Sequence, residues 1–215
     1  MNLEQARYFM VEQQIRPWDV LDPKILDLLM ETPRHKFVPK NYENLAYTDI
    51  ELPISETSKM MAPKVEAKLL QALAIQPNEK VLEIGTGSGF VTALMAQLAK
   101  EVTTIEISTE IQKQAMQRLA AFDNINFKTG DASQNWDDNQ YYDAILLTGS
   151  VDSLPESFKE KLSLGGRLAV VLGDAPAMIA KLITRVSDNE WSEEALFETE
   201  LERLVNATPK AKFTF

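Results

Sequence analysis

Residues 81–89 read Val-Leu-Glu-Ile-Gly-Thr-Gly-Ser-Gly, and this stretch decides the fold class of the 215-residue chain. The first four residues form an apolar strand interrupted by one acid, and the glycines turn the chain directly into an apolar helix. In open α/β folds, ligands bind at the carboxyl ends of the strands, where glycines let the backbone approach the ligand. The stretch therefore predicts a ligand site at a strand-to-helix turn.

From Lys80 onward, the apolar pattern alternates between strands and helices. Such alternation requires right-handed crossovers and predicts a doubly wound α/β fold, in which a mostly parallel sheet has helices on both faces. A terminal antiparallel strand pair, with a strand at 195–205, is expected in the weaker pattern of 178–215. The other predicted elements are strands at 81–84, 102–107, 125–128, 143–148 and 167–172, and helices at 89–100, 108–122 and 154–162.

The first 79 residues have a different pattern, which predicts a helical extension. Apolar residues at helical spacing predict a helix at 4–15, Asp22 and Pro23 begin a second, and Pro63 opens a third. The segment 34–62 has no clean period, and such segments usually carry function or cover a site. We predict one domain, with a helical substrate or lid region at 1–79 and a ligand-binding core at 80–215.

The composition restricts the chemistry. A net charge of −10, with no cluster of Lys and Arg, argues against nucleic-acid binding. No cysteine and one histidine exclude disulfides, thiolate zinc sites and cysteine nucleophiles, and argue against any metal site. The start Met-Asn-Leu-Glu-Gln-Ala-Arg does not resemble a signal peptide, and no run of about eighteen apolar residues occurs. These features predict a cytoplasmic protein without membrane contact.

Glu83, inside the apolar strand, distinguishes two ligand classes. A dinucleotide site spaces its glycines as Gly-x-Gly-x-x-Gly, whereas here the third glycine comes one residue early and Phe90 takes its place. A carboxylate in a core strand is costly unless it is paired. At the end of the strand it can instead face a cation. S-adenosylmethionine offers an ammonium and a sulfonium group.

Two more acids follow the next strands. Glu106 lies about twenty residues after the first glycine, where a carboxylate accepts hydrogen bonds from ribose hydroxyls. Asp131 follows the third strand and can accept from an adenine amine. Singly, Glu83 could be a capping carboxylate, Glu106 a surface acid and Asp131 a turn residue. Together with the glycines, they predict a Rossmann-like class I methyltransferase that binds S-adenosylmethionine through Glu83, Gly85, Thr86, Gly87, Gly89, Glu106, Ile107, Asp131 and Ala132.

Several short motifs between residues 10 and about 173 are shared with one known family. They are Met10-Val11, Pro33-Arg34, Phe37-Val38-Pro39, Ala46-Tyr47-Thr48-Asp49, Leu52-Pro53-Ile54, Ala62-Pro63, residues 81–89, Tyr142-Asp143-Ala144-Ile145 and Gly165-Gly166-Arg167-Leu168. With these motifs the chain resembles the protein-L-isoaspartate O-methyltransferase family. The glycine string is common to many methyltransferases, whereas the amino-terminal motifs are specific to this family.

The resemblance implies methyl transfer from S-adenosylmethionine to the free α-carboxylate of an isoaspartyl residue in damaged protein or peptide. A carboxylate with a pKa of about 4 is already the nucleophile at neutral pH, so no general base is required. Positioning the two reactants and excluding water is then sufficient. The single histidine, His35, is accordingly interpreted as a surface or loop residue rather than a catalytic one.

One motif departs from the family pattern. Family members carry a Gly-Gln-Thr-Ile-Ser-like run with a serine hydroxyl near the reacting carboxylate, whereas this chain reads Thr57-Ser58-Lys59-Met60-Met61. Met61 stands at the serine position, and its thioether cannot donate a hydrogen bond. Thr57, Ser58 or the ammonium of Lys59 is the expected substitute. In a purely structural interpretation, Met60 and Met61 fill space beside the site.

Two other functions remain open at the level of sequence. The altered run favours a methyltransferase of the same build that acts on a different acceptor, either a small molecule or a protein. The chain could also bind S-adenosylmethionine without transferring its methyl group. Methylation of an isoaspartyl peptide separates the first hypothesis from both, and product analysis in a cell extract separates these two from each other.

Overall fold

The structure is a computed structural model that describes residues 2–207. The last part of the predicted core, 208–215, lies outside the described residues. The first helices of the chain begin where the sequence supplies caps. Asn2 caps α1 (Leu3–Phe9), and Asp22 caps α2 (Pro23–Glu31) by accepting from the backbone N–H of Lys24. Proline occupies the first position of α2 and of α3 (Pro63–Leu73), which suits its fixed φ. The helix starts predicted at Asp22 and Pro63 are confirmed.

The first helix differs from the prediction of a regular helix over 4–15. α1 ends at Phe9 and continues as a wider π-helical turn, Met10–Ile15, followed by a short 3₁₀ turn, Arg16–Trp18. Met10, Val11 and Ile15 are all buried, so the wider turn still directs its apolar side chains into the core.

The segment without a clean period contains two 3₁₀ turns and a small hairpin that the sequence did not reveal. The turns are Arg34–Phe37 and Lys40–Leu45. In the hairpin, β1 (Leu52–Pro53) pairs antiparallel with β2 (Lys59–Met60). Two-residue strands are too short to produce a visible alternation, which explains why the sequence pattern missed them.

The predicted strand and helix alternation is present in the core. Five strands run parallel and two antiparallel strands follow. The strands are β3 (Lys80–Ile84), β4 (Glu101–Glu106), β5 (Ile125–Thr129), β6 (Tyr142–Leu147), β7 (Leu162–Asp174), β8 (Ala177–Ser187) and β9 (Glu190–Glu198). The helices are α4 (Phe90–Leu98), α5 (Thr109–Arg118) and α6 (Glu156–Glu160). Each helix is shorter than predicted, because the chain leaves helical geometry before the next strand starts.

All seven strands form one sheet in the order β5-β4-β3-β6-β7-β8-β9. The chain moves outward from β3 to β5 and then crosses back to β6 on the other side of β3, so the strand order reverses at β3. Ligands of open α/β sheets bind at such a switch point. The predicted doubly wound, mostly parallel sheet is confirmed.

The carboxyl-terminal strand pair is antiparallel as predicted, but the strand predicted at 195–205 is wrong in its bounds. β9 spans Glu190–Glu198 and pairs with β8, where buried Met178 and Ala180 alternate with exposed neighbours. After β9 the chain turns away: the backbone N–H of Ser150 donates to the carbonyl of Glu202, and the N–H of Leu204 donates to Ser150. These bonds attach residues 201–205 to the end of β6 instead of to the sheet edge.

Buried apolar residues form two clusters, and each cluster contains a different set of the strand side chains of the central sheet. The larger cluster joins the amino-terminal helices to α4 and to one set of strand side chains, so the extension packs directly onto the core. Among residues 2–207, no helix is long and apolar enough to cross a membrane.

Candidate functional site

The loop after β3 bends in a way that a side chain would prevent. Gly85 has a φ of +98°, and a Cβ there would lie 2.3 Å from the hydroxyl oxygen of Thr148. That hydroxyl donates to the carbonyl oxygens of Ile84 and Gly85 at 2.9 and 2.6 Å. Gly89, with a φ of +83°, directs the chain into α4. Glycine is required here because the loop approaches the end of β6 closely.

An open cleft lies at the carboxyl ends of β3, β4, β5 and β6; we call it the strand-end cleft. Its mouth is open to solvent, and the space between its walls, including that open part, is about 790 Å³. Six of the nine predicted cofactor residues line it: Gly85, Gly87, Glu106, Ile107, Asp131 and Ala132. Thr148, Gly149 and residues 201–205 complete the wall.

Glu106 forms one side of the strand-end cleft and is 7% exposed. Its Oε2 accepts from the backbone N–H of Gly87 at 2.9 Å, and its Oε1 accepts from the N–H of Ser108 at 3.0 Å. A carboxylate has about four acceptor positions. Glu106 is therefore held in a fixed orientation with lone pairs left for hydroxyl donors in the cleft.

Asp131 combines a turn role with a place in the cleft wall. Its Oδ1 accepts from the backbone N–H of Ser133 at 2.9 Å, and its Oδ2 accepts from the amide of Asn206 at 2.8 Å. Burial raises the pKa of Asp131, but the hydrogen bonds from Ser133 and Asn206 outweigh burial and bring the pKa below its usual value. The carboxylate is thus negatively charged at neutral pH.

A smaller cavity, the inner chamber, adjoins the strand-end cleft. The two cavities share Ile54, Lys59, Gly85, Gly87 and Thr148. Glu83 and Thr86, predicted as cofactor residues, line this chamber rather than the cleft. Gly89 lines neither cavity and instead packs against Leu119, which a Cβ would meet at 2.9 Å. The remaining chamber residues are Met60, Met61, Glu66, Ser88 and Val91.

Glu83 is fully buried and only partly satisfied. Its Oε2 accepts from the hydroxyls of Thr92 and Thr104, both at 2.5 Å, whereas its Oε1 has no hydrogen-bond partner among the described residues. Burial raises the pKa of Glu83 to about 8, although the Thr104 and Thr92 hydroxyls lower it, and the Glu106 charge adds to the rise. At neutral pH the carboxyl group is therefore mostly protonated in the free protein, and a cation entering the chamber would favour loss of this proton and pair with the free oxygen.

In the ligand-free protein, Glu83→Gln is expected to remove a pH-dependent loss of stability. The folded pKa of about 8 exceeds the ordinary value of 4.5, so the unfolded chain loses this proton first as the pH rises. The free energy of unfolding should fall by about 1.4 kcal/mol per pH unit between those two values. Glutamine has no proton to release.

Urea unfolding across that pH range measures both slopes. Exposed Glu110, in the first turn of α5, provides the control Glu110→Gln, which should keep the wild-type slope. Equal slopes in wild type and Glu83→Gln would contradict the assignment.

The two methionines of the divergent run are buried beside the inner chamber. Met60 is 5% and Met61 4% exposed, and the carbonyl of Met61 accepts from the guanidinium of Arg34. Both residues therefore belong to the buried core and also line the inner chamber. Met61 brings no hydroxyl group to the position where the family has serine.

The three predicted substitutes lie at the mouth of the strand-end cleft. The carbonyl of Ser58 accepts from the backbone N–H of Ile54 at 2.8 Å, and the N–H of Thr57 donates to the hydroxyl of Ser55, so both residues belong to the hairpin turn. Lys59 starts β2, and its side chain is 53% exposed.

Sequence reasoning missed residues 201–205, which cover part of the strand-end cleft. The only local signal was the apolar pair Leu201 and Leu204 after an acidic strand. In the structure Leu204 packs against Gly149, where a Cβ would lie 2.8 Å from the Leu204 side chain. His35 lies outside both cavities, with its Nδ1 2.7 Å from the hydroxyl of Tyr47. Within residues 2–207, no group of three or more His, Asp or Glu side chains is arranged to hold a metal.

A family model described as Protein-L-isoaspartate(D-aspartate) O-methyltransferase (PCMT) matches residues 6–207. The chain belongs to this family. The match covers both the amino-terminal motifs and the core, and it confirms the predicted resemblance.

Individual relatives agree with the family assignment. A protein-L-isoaspartate O-methyltransferase from a Picosynechococcus species is 41% identical over 189 residues, which covers 87% of this chain and 85% of the relative. One from Syntrophotalea carbinolica is 34% identical over 207 residues, covering 95% of each chain. The similarity therefore extends across nearly the whole length of both relatives.

Two solved structures share the fold. A Plasmodium falciparum protein in complex with S-adenosyl-L-homocysteine has a TM-score of 0.80 at 18% identity, covering 95% of this chain and 98% of that one. A second structure, named protein-L-isoaspartate O-methyltransferase, has a TM-score of 0.79 at 23% identity, covering 97% of this chain and 67% of that one. The amino-terminal extension and the antiparallel strands thus belong to the shared architecture.

Proposed function

We propose that this chain is an S-adenosylmethionine-dependent methyltransferase that methylates the free α-carboxylate of isoaspartyl residues in damaged protein or peptide. The observation that carries the proposal is the strand-end cleft. In a chain of this family, the glycine loop, Glu106 and Asp131 meet around one space at the point where the strand order reverses. Ligand binding at that point follows from the topology of the sheet.

The residues around the two cavities fit the chemistry of the cofactor. In this proposal Glu106 accepts from the ribose hydroxyls and Asp131 from the adenine amine, and Ile107 and Ala132 supply apolar contacts; all four line the strand-end cleft, which supports these roles. The free Oε1 of Glu83 fits an ammonium group. Gly85, Thr86 and Gly87 bring the loop backbone to the cavities, and Gly89 contributes by directing the chain into α4. When bound, the cofactor supplies a methyl group activated by its sulfonium sulfur.

The acceptor carboxylate needs no base from this chain. It is ionised at neutral pH and supplies the electron pair itself, so the protein's contribution is to orient it and exclude water. Residues 201–205 and the hairpin turn before Lys59 border the strand-end cleft and form part of its wall. His35 is not required, in agreement with its place outside both cavities.

One observation favours a second candidate, methylation of a different acceptor. Met61 is buried and provides no hydroxyl donor at the position where the family serine lies. A small-molecule or protein acceptor that does not use that contact would be compatible with the same cofactor site.

The test is transfer of a tritiated methyl group from labelled S-adenosylmethionine to an isoaspartyl peptide, with the normal aspartyl peptide as control. We expect rapid labelling of the isoaspartyl peptide alone. No labelling, with cofactor binding intact by calorimetry, would favour the second candidate, and product analysis in a cell extract would then identify the acceptor. Cofactor binding with no product in the extract would point to a binding module without transferase activity.

Three further features belong to the same proposal. Residues 1–79 form the substrate and lid region, and the cofactor-binding core begins at residue 80; the hairpin at the cleft mouth supports this division. The partner is a protein or peptide rather than nucleic acid, as the net charge of −10 suggests. A cytoplasmic location agrees with the absence of cysteine.

A further inference from the structure

Lys59 lies where three cavities meet. A third cavity, the outer groove, runs between the hairpin, the start of α3, the β7–β8 turn and residues 199–203, and its lining includes Glu51, Val65, Met178 and Glu202. Of all the described residues, Lys59 alone lines the strand-end cleft, the inner chamber and the outer groove. An acceptor that approaches the strand-end cleft from the outer groove passes this side chain.

The backbone of Lys59 is held by two contacts, whereas its side chain is exposed. Lys59 pairs with Pro53 in the hairpin, and its N–H donates to Oε2 of Glu202 at 3.1 Å, across the groove. The side chain is 53% exposed. The ammonium can therefore change direction without disturbing the hairpin.

The ammonium of Lys59 is held more loosely than the other two cations of the outer groove. It lies 3.5 Å from Oε2 of Glu51. Lys64 lies 2.9 Å from Asp49 and also stacks on Trp18 at 4.1 Å. Arg203 is paired with Asp174. An exposed, long ion pair contributes little, so an incoming carboxylate can displace Glu51.

Charge makes such a cation necessary. Four acids line the strand-end cleft, Glu51, Glu106, Asp131 and Glu202, against two cations, Lys59 and Arg203. Arg203 is already paired with Asp174, so the excess of acids opposes the entry of another carboxylate. We propose that Lys59 binds the acceptor carboxylate and takes the place of the hydroxyl that Met61 lacks. Thr57 and Ser58, the other candidates, line only the strand-end cleft, and their backbones hold the hairpin turn.

This role rests on the proposed function and deepens it. The ammonium engages one carboxylate oxygen and leaves the other to attack the methyl carbon. The carbon–sulfur bond breaks, its electron pair stays on the sulfur, and the products are a methyl ester and a neutral thioether. The step transfers no proton.

Substitutions of Lys59 and of Glu51 should change the KM for the isoaspartyl peptide in opposite directions. Lys59→Met is expected to raise the KM for the isoaspartyl peptide about 10-fold or more, since a hydrogen bond to a charged group is lost, whereas Lys59→Arg should stay within about 3-fold of wild type. Glu51→Gln removes the competing carboxylate and should lower KM about 2- to 5-fold, in keeping with a weak exposed pair. Affinity for S-adenosylmethionine, measured by calorimetry, should be unchanged in all three.

Lys80→Met provides the matched control. The side chain of Lys80 is 45% exposed and lies 3.9 Å from Glu101. Both residues are at the amino ends of their strands, away from the strand-end cleft, so this variant should keep the wild-type KM. An unchanged KM in Lys59→Met, or an unchanged or raised KM in Glu51→Gln, would overturn the role of Lys59 alone. A loss of cofactor affinity in Lys59→Met would also overturn it, by assigning the residue to the cofactor. A wild-type protein inactive on isoaspartyl peptide would overturn the proposed function itself.

Discussion

Replacing Glu106 by alanine is expected to lower the affinity for S-adenosylmethionine about 100-fold or more, because hydrogen bonds to a carboxylate are roughly twice as strong as those between neutral groups. Two effects combine. The ribose hydroxyls lose a charged acceptor, and the backbone N–H groups of Gly87 and Ser108 lose the partner that orients the glycine loop. Calorimetric titration with the cofactor measures the change.

A milder change at Glu106 and a control at another acid complete the experiment. Glu106→Gln keeps one acceptor oxygen and the side-chain shape, and should lose about 10-fold, consistent with one hydrogen bond to a charged group. Glu110→Ala removes an exposed acid from the first turn of α5 and should bind like wild type. If Glu106→Ala also bound like wild type, neither a ribose contact nor the orientation of the glycine loop by Glu106 would contribute to cofactor binding.

The sequence predicted the parts of this site that depend on local pattern. A strand followed by closely spaced glycines and a helix is a local feature, and parallel connectivity then places the ends of successive strands at one edge of the sheet. Glu106 and Asp131 could therefore be assigned to one cleft before any coordinates were known. The structure places both in its wall.

Other features depend on contacts between distant residues, and the sequence could not reveal them. Glu83 was expected at the cleft, but Thr92 of α4 and Thr104 of β4 hold it beside the inner chamber. Residues 201–205 are held at the cleft by backbone hydrogen bonds to Ser150, which lies about fifty positions earlier in the chain. The many acidic, exposed residues of β9 masked its alternation of apolar and polar side chains. The strand was therefore predicted too close to the carboxyl terminus, at 195–205 instead of Glu190–Glu198.

Arg34→Met is expected to destabilise the folded protein by about 3–5 kcal/mol, the usual cost of leaving one partner of a buried ion pair uncompensated. Arg34 is completely buried. It pairs with Glu66 at 3.2 Å and donates to the carbonyls of Ala46 and Met61. The substitution therefore leaves a buried carboxyl group and two carbonyl oxygens without this partner. Urea unfolding measures the loss.

The control for this experiment is another arginine pair in the same region. Arg16 and Glu12 form an exposed ion pair at 2.9 Å on the first helical segment, so Arg16→Met should cost less than about 1 kcal/mol. If Arg34→Met cost no more than Arg16→Met, the buried pair would not stabilise the amino-terminal region, and the hairpin would be held by its apolar contacts.

A pH series and a double variant show where the cost arises. Burial already raises the pKa of Glu66, and Arg34 opposes that rise, so removing Arg34 raises the pKa further. The unfolded chain then loses this proton before the folded one, and the penalty of Arg34→Met should grow as the pH rises above 4.5, the ordinary pKa of a glutamate. Adding Glu66→Leu removes the titrating group, so the double variant should be more stable than Arg34→Met and independent of pH in this respect. The remaining deficit would measure what the Arg34 bonds to the carbonyls of Ala46 and Met61 contribute to the stability of the folded protein.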